Sequence, residues 1–461
     1  MASSPKEKPV AITGGSGFLG TRLAQRLLDE GTSVVVIDVT EPEPSVAARA
    51  IFRRADIADR EAVAAALTGC GMIYHLAAIV PISKQTKQGF LAINVAGTEH
   101  VLEAALQEGA KVVFCSTSTP LYTKPGKLPV NELTPKTPGY FYGKSKFAAE
   151  EICQRYREKG LAVAIVRPRM IIGPGRLGLL EMLFGWIRDG KPVPLLGSGD
   201  NLLQFLDVDD LADLLCRLGK ADGERFSTDY NVGAKSFSTV RADIGSVIER
   251  AGSPSKIVAV PRLYRPFLLA LNALNVTPFS AFHINTIDQE FYFDTSKAEQ
   301  NLGWKSVYSN AESLGRSYDW YVANIGTIQT GAGHNKRMSA IGLASLLPPA
   351  LSAFDRMQAA IAALATFLAT GLGLSPLAPV ARGTVGSLLA LPLIPAFLRL
   401  SLPIQGLATL AAILVSIGCA SIAEKRYQKK DDSRIVIDEF ASMFVTFIGI
   451  GSGHLAFSLC A

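Results

Sequence analysis

Residues 9–20 read Pro-Val-Ala-Ile-Thr-Gly-Gly-Ser-Gly-Phe-Leu-Gly. An apolar run, Val10–Ile12, stops at Thr13. Glycines follow at Gly14, Gly17 and Gly20, and the amphipathic stretch Leu19–Glu30 begins at once. The pattern predicts a strand, a tight turn and a helix. Glycine in such a turn lets backbone N–H groups and the helix N-terminus approach a pyrophosphate, where the helix dipole favours negative charge. The next apolar run, Val34–Ile37, closes on Asp38, eighteen residues after Gly20. A carboxylate at that spacing accepts hydrogen bonds from ribose hydroxyls and repels a 2′-phosphate, so the expected cofactor is NAD rather than NADP.

Outward from this stretch, strands and helices alternate. A loop at Glu41–Ser45 precedes a short strand near Ala50–Arg53 and a helix near Asp59–Leu67. Then come the apolar run Met72–Ala78, a helix around Ala92–Gln107, a strand at Lys111–Phe114, the helix Tyr140–Lys159 and a strand at Ala162–Val166. Alternation of this kind predicts an α/β fold: a parallel Rossmann-type sheet covered by helices on both faces. The cofactor then belongs at the carboxyl ends of the strands, where strand order reverses, with Asp56-Ile57 at the adenine edge.

The chemistry is placed at Tyr142 and Lys146, spaced i and i+4 on one helix face in Tyr-Gly-Lys-Ser-Lys. An ammonium near a phenol lowers the phenol's pKa, and the same Lys can hold the nicotinamide ribose. Tyr142 then exchanges a proton with a substrate oxygen. A hydroxyl must orient that oxygen, and the strand running into Cys115-Ser116-Thr117-Ser118 offers three.

Residues 8 to about 322 resemble an extended short-chain dehydrogenase/reductase, the NAD-dependent epimerase/dehydratase family. The resemblance rests on the glycine turn, Asp38, His75-Leu76-Ala77-Ala78, Asn94-Val95-Ala96-Gly97-Thr98 and Tyr142–Lys146. It continues through Arg167-Pro168, Gly173-Pro174-Gly175, Asp207–Ala212 and Leu302-Gly303-Trp304. It implies a catalytic Ser/Thr, Tyr142 and Lys146. Counting from Phe114 gives Thr117 and counting back from Tyr122 gives Ser118; Thr117 is the preferred choice. The implied cofactor contacts are Gly14, Ser16, Gly17, Phe18, Leu19, Gly20, Asp38, Asp56, Ile57, Ala77, Lys146 and Pro168. A small substrate subdomain is expected over about 168–322. There Arg169, Arg176 and Arg262 are available to a sugar-nucleotide diphosphate, while the apolar segment Leu263–Phe282 suits a lipid-like alcohol or a membrane surface. The family also implies a homodimer through the dehydrogenase domain as an assembly to test.

Charge divides the chain. Residues 1–330 carry 36 Lys+Arg against 34 Asp+Glu, and residues 331–461 carry 10 against 6. The net +6 is too small and too scattered for a nucleic-acid surface. The six cysteines form no CxxC pair and the five histidines show no metal-ligand spacing, which points to reduced core thiols and structural imidazoles. The first twenty residues do not read as a signal peptide. The expected division is a dehydrogenase domain at 1–325, a linker at 326–345 that overlaps the polar stretch Asn324–Ala340, and an all-α membrane domain at 346–461.

In that last part, residues 357–381, 383–398, 400–423 and 440–461 carry no charge. Runs of this length predict bilayer spans. The basic cluster Lys425, Arg426, Lys429, Lys430 and Arg434 should face the cytoplasm, as must an NAD domain. Both hold if 357–372 dips into the near leaflet and segments near 384–399, 403–423 and 440–459 span. The expectation is a multi-pass protein of the cytoplasmic membrane. Asp438-Glu439, at the mouth of a span, can hold Mg²⁺ beside a phosphate.

Residues 364–450 resemble the first part of the phosphatidylglycerophosphatase A family, which dephosphorylates phosphatidylglycerol phosphate with Mg²⁺. The matching pieces are Thr370–Pro376, Gly383–Ser387 and Ile435–Phe440. Val380-Ala381-Arg382 are extra, and the family's later Arg/Asp/Lys-Pro and Asp-Asp motifs do not follow. Membrane binding with little phosphatase activity is therefore expected. The alternatives are a bifunctional enzyme and a pure anchor.

Overall fold

The computed structural model describes residues 8–80, 86–123, 126–273 and 281–330, together with helical residues at 405, 409–410 and 412–413. The chain divides into two compact units, Met1–Ile341 and Gly342–Ala461. Apart from those five residues, the segments expected to span the bilayer lie outside the described residues, as do Asp438 and Glu439. Among the described residues no helix is long and apolar enough to cross a membrane, and no cluster of His, Cys, Asp and Glu could hold a metal ion.

The first unit opens with β1 (Val10–Thr13), α1 (Phe18–Asp29), β2 (Val34–Asp38), α2 (Pro44–Ala47) and β3 (Ile51–Arg54). It continues through α3 (Arg60–Leu67), β4 (Met72–His75), α4 (Lys87–Phe90), α5 (Gly97–Glu108), β5 (Lys111–Cys115), α6 (Tyr140–Glu158) and β6 (Val163–Pro168). Next are β7 (Met170–Ile172), α7 (Leu180–Arg188), β8 (Val193–Leu196), β9 (Phe205–Asp207), α8 (Val208–Gly219) and β10 (Asp229–Val232). Last come α9 (Val240–Arg250), β11 (Ile257–Val260), α10 (Arg265–Ala273), α11 (Ala281–Thr286), α12 (Ser296–Leu302) and α13 (Asn310–Thr330).

Seven strands form one parallel sheet in the order β10-β6-β5-β4-β1-β2-β3. Successive side chains on a strand face opposite ways, so each strand must be apolar at consecutive positions when helices cover both faces. Ile12, Val34, Val36, Val113 and Val166 pack with α1 and α8 on one face. Ala11, Val35, Ile37, Val112 and Ile165 pack with α3, α5 and α6 on the other. Strand order reverses between β1 and β4, where Thr13 pairs with His75. This opens the crevice in which such sheets take ligands.

The smaller body, expected from the sequence to be the substrate subdomain, has its own core, in which Phe184, Val193, Val240, Val247, Leu314 and Tyr318 are buried together. Its two small sheets pair β8 with β11 and β7 with β9. The Rossmann-type sheet and this smaller body match the fold expected from the sequence.

Several boundaries differ from the pattern reading. The helix expected at Ala92–Gln107 begins with a π-helical turn, Leu91–Ala96, before α5. Part of the Glu41–Ser45 loop belongs to α2. The polar stretch from Asn324 continues α13 to Thr330, because the apolar contacts of Tyr318, Tyr321 and Ile325 with the subdomain core hold the helix past its polar sequence.

Candidate functional site

Three loops meet at the strand-order reversal. In the glycine turn, Gly14 has φ +71°, and a Cβ there would lie 2.7 Å from Ala77 N. A Cβ on Gly20 would lie 2.2 Å from Gly14 O. Gly17 starts α1 without any side-chain cap, which leaves the helix N-terminal N–H groups to an anion. Asp38, at the end of β2, accepts from Ser16 N at 3.2 Å and from Thr40 N at 3.1 Å. Its carboxylate therefore borders the turn. Ile57 is buried against Gly97, and Asp56 accepts from Ala58 N at 2.9 Å. Leu19 is buried in α1, Phe18 borders Gly173 and Gly175, and Pro168 ends β6. A close backbone approach, an uncapped helix and a carboxylate at the second strand fit NAD.

Beneath the crevice lies His75, which is fully buried. Thr98 gives its hydroxyl hydrogen to Asn94 O at 2.8 Å. The Nε2 atom of His75, 3.0 Å from Thr98 Oγ1, is therefore the donor, and Nδ1 accepts from Thr13 Oγ1 at 2.7 Å. Burial pushes His75 down to about 3, so the ring stays neutral.

The residues expected to carry chemistry converge at the end of β5. The Thr117 hydroxyl lies on the side of the Tyr142 phenol and favours its ionised form. Ser118 is buried and accepts from Arg169 Nη1 at 3.1 Å. Ser116 donates to Glu150 Oε1 at 2.5 Å. Of three candidate hydroxyls, two are engaged with structural partners and Thr117 faces Tyr142. Desolvation pushes the Tyr142 phenol up to about 12, against the Thr117 hydrogen bond and the charge of Arg176. Lys146 is buried, donates to Cys115 O at 2.6 Å and lies 4.1 Å from the centre of the Phe114 ring. Burial lowers its ammonium to about 8.

Other contributors were harder to see. Asn94, in the π-helical turn, accepts from Ile79 N at 2.8 Å and donates to Ser145 Oγ at 3.1 Å, which ties the loop after β4 to α6. Its only signal was the Asn-Val-Ala-Gly-Thr stretch. Glu150, one turn beyond Lys146, is gripped by Arg167 through bonds of 2.9 and 2.8 Å and by Lys136 at 2.8 Å. Burial alone would raise its carboxyl, but these cations hold it below the usual carboxylate range.

The arginines of the subdomain divide by partner. Arg262 pairs with Asp288 at 2.8 Å. Arg169 is buried among neutral groups, donating to Gln204 O, Ser118 Oγ and Thr119 Oγ1 with its guanidinium over Phe291, and desolvation lowers it to about 9.

Residues 10–233 match the family model described as NAD dependent epimerase/dehydratase family, and residues 363–461 match that for phosphatidylglycerophosphatase A. An uncharacterized protein of Sinorhizobium fredii, y4nG, is 36% identical over 75% of this chain and 86% of its own length. UDP-glucose 4-epimerase of Mycolicibacterium smegmatis is 26% identical, over 67% of this chain and 97% of its own. Among solved structures, the dTDP-glucose 4,6-dehydratase DesIV of Streptomyces venezuelae, with NAD and TYD bound, is 25% identical. It matches 69% of this chain and 98% of its own, with a TM-score of 0.56.

Proposed function

We propose, for a chain that belongs to the NAD dependent epimerase/dehydratase family, that its N-terminal unit uses NAD to oxidise and re-reduce a hydroxyl-bearing carbon of a sugar nucleotide. The observation that carries this reading is the convergence of Tyr142, Thr117 and Lys146 at the end of β5, beside the uncapped glycine turn. When bound, NAD supplies a hydride acceptor. Gly14, Ser16, Gly17, Phe18, Leu19 and Gly20 hold its pyrophosphate side, Asp38, Asp56 and Ile57 its adenosine side, and Ala77, Lys146 and Pro168 its nicotinamide side. Thr117 orients the substrate oxygen. Tyr142 takes the hydroxyl proton as the carbonyl forms and returns it on reduction.

The experiment is direct. Full-length protein is incubated with UDP-glucose or dTDP-glucose, and the nucleotide sugars are separated by chromatography. Conversion should fall at least ~100-fold in Tyr142→Phe, the scale of losing a positioned acid–base group, with NAD affinity unchanged. Undiminished turnover in that variant removes Tyr142 from the mechanism.

The match over 363–461 supports membrane attachment through the C-terminal unit, with the basic cluster Lys425–Arg434 and the N-terminal unit on the cytoplasmic side. The same match favours a second reading, in which Asp438 and Glu439 hold Mg²⁺ for lipid phosphate release. We expect the protein to bind liposomes containing phosphatidylglycerol phosphate and to release little phosphate. Mg²⁺-dependent release that disappears in Asp438→Asn establishes the second activity instead.

A further inference from the structure

Two arginines lie two residues apart, Arg167 near the end of β6 and Arg169 just beyond it, and both are buried, at 0% and 2% exposure. Arg167 meets two carboxylates, Glu150 at 2.8 Å and Asp229. Arg169 has no carboxylate partner among the described residues. Even lowered by desolvation to about 9, its guanidinium is charged at neutral pH. A buried charge without a counter-ion is costly, and a fold retains one where a ligand completes the pair.

Neutral groups hold the Arg169 side chain in place. Nε donates to Gln204 O at 3.0 Å, and Nη1 donates to Ser118 Oγ at 3.1 Å and to Thr119 Oγ1 at 2.6 Å. The guanidinium lies 4.4 Å from the centre of the Phe291 ring and 5.9 Å from that of Phe293. Gln204 is itself braced, donating to Ala234 O at 2.7 Å and accepting from Phe293 N at 2.9 Å. Rings and neutral oxygens offset part of the desolvation, but none of them neutralises the charge. These bonds use Nε and both N–H groups of Nη1. Nη2 makes no hydrogen bond among the described residues. Unlike Nη1 of Arg167 and Nη2 of Arg157, it is not sealed from solvent. Arg169 is thus a fixed cation with one nitrogen to offer.

Its anchors place it beside the reacting group. Ser118 and Thr119 directly follow Thr117, to which the substrate oxygen is assigned, and consecutive Cα atoms are about 3.8 Å apart. Pro168, assigned to the nicotinamide side of the cofactor, directly precedes Arg169. The charge therefore stands by the sugar ring at the carbon that is oxidised. In a sugar nucleotide the diphosphate occupies the anomeric oxygen, so the oxidised hydroxyl belongs to another ring carbon.

We propose that Arg169 is a specificity-determining residue that pairs through Nη2 with a carboxylate on the sugar ring, so that the preferred substrate is a nucleotide-linked uronic acid. The inference deepens the sugar-nucleotide reading and rests on it. A carboxylate there supplies the counter-charge the fold omits, through a charge-assisted hydrogen bond. A neutral hydroxymethyl group in the same place leaves the buried guanidinium unpaired.

The test is a binding experiment. Full-length protein with saturating NADH, which cannot accept a hydride from the substrate, is titrated calorimetrically. The ligands are the glucuronic acid and glucose forms of UDP and of dTDP, and the two free nucleoside diphosphates. Each sugar pair shares its diphosphate and differs in a carboxylate against a hydroxymethyl group. The native protein should bind the glucuronic acid form at least ~10-fold more tightly, about 1.4 kcal/mol. Arg169→Gln should erase that preference while affinity for the free diphosphate stays within about threefold. Arg169→Lys, which keeps the charge, should restore part of it, and unchanged NADH affinity shows that both variants are folded. Equal binding of the two sugar forms by the native protein overturns the inference without any variant. So does a preference that survives Arg169→Gln, or an equal loss for sugar forms and free diphosphates, which would make Arg169 a diphosphate ligand. Failure to bind any of these ligands instead defeats the sugar-nucleotide reading, and the inference falls with it.

Discussion

Around the glycine turn, positions are fixed by missing side chains. Gly14 and Gly20 let two backbone segments meet where any Cβ would collide. Beside it, where α6 meets β6 and β10, positions are fixed by charge. Arg167, fully buried, bridges Glu150 and Asp229, Arg157 adds a bond to Asp229, and Lys136 adds one to Glu150. The first arrangement gives a rigid cradle at small energetic cost. The second holds α6 with desolvated ions, whose attraction offsets their burial only while every partner is present. The cofactor side should therefore tolerate loss of a charge better than loss of a glycine, and the α6–β6 side the reverse.

The largest effect that contrast predicts is at Glu150. Glu150→Ala leaves Arg167 and Lys136 facing a gap, and breaking a buried pair in this way costs about 3–5 kcal/mol. All three tryptophans, Trp186, Trp304 and Trp320, lie in the N-terminal unit. Urea unfolding followed by tryptophan emission therefore reports on this unit, and a loss under about 1 kcal/mol would show the ion cluster to be dispensable.

Next comes Gly20→Ala. Its Cβ would stand 2.2 Å from Gly14 O, so the turn must move. NAD affinity should weaken at least ~100-fold, about 2.7 kcal/mol, with the tryptophan unfolding curve nearly unchanged. Calorimetric titration giving native affinity would mean that the cradle is softer than its contacts imply.

A smaller effect is expected of His75. Its folded pKa, about 3, lies below the ordinary value of 6.5. The unfolded chain therefore binds the extra proton first, and the stability this group contributes is complete above pH 6.5 and is lost as pH falls toward 3. Between pH 6.5 and 5 the loss should be about 2 kcal/mol. The same urea series on His75→Gln should show a shallower decline, and equal slopes in the two proteins would assign the acid sensitivity elsewhere.

What could be read in advance follows the same division. Gly14, Gly20 and Asp38 were legible because backbone geometry admits few residue types at those points, and the chain displays them in order. Thr117 was separable from Ser118 only in three dimensions. Both follow β5 with the same chemistry, and what distinguishes them is that Arg169, fifty-one positions beyond Ser118, engages one while Tyr142 faces the other. Asn94 was visible as part of a motif, but its role depends on a π-helical turn that local pattern does not encode.

By itself, then, the sequence determined a parallel α/β sheet with a dinucleotide cradle, a Tyr–Lys helix and a second body of different composition. These features arise from local periodicity, from turn stereochemistry and from charge along the chain, all of which are properties of neighbours in sequence. Only the tertiary structure decided where the charges point. Lys146 stands one turn from Tyr142, yet its ammonium finds a carbonyl on β5. Arg167, seventeen residues beyond Glu150 and on a different element, meets its carboxylate through two hydrogen bonds. Electrostatic partnership depends on distance and desolvation, and both are set by packing between elements far apart in the chain.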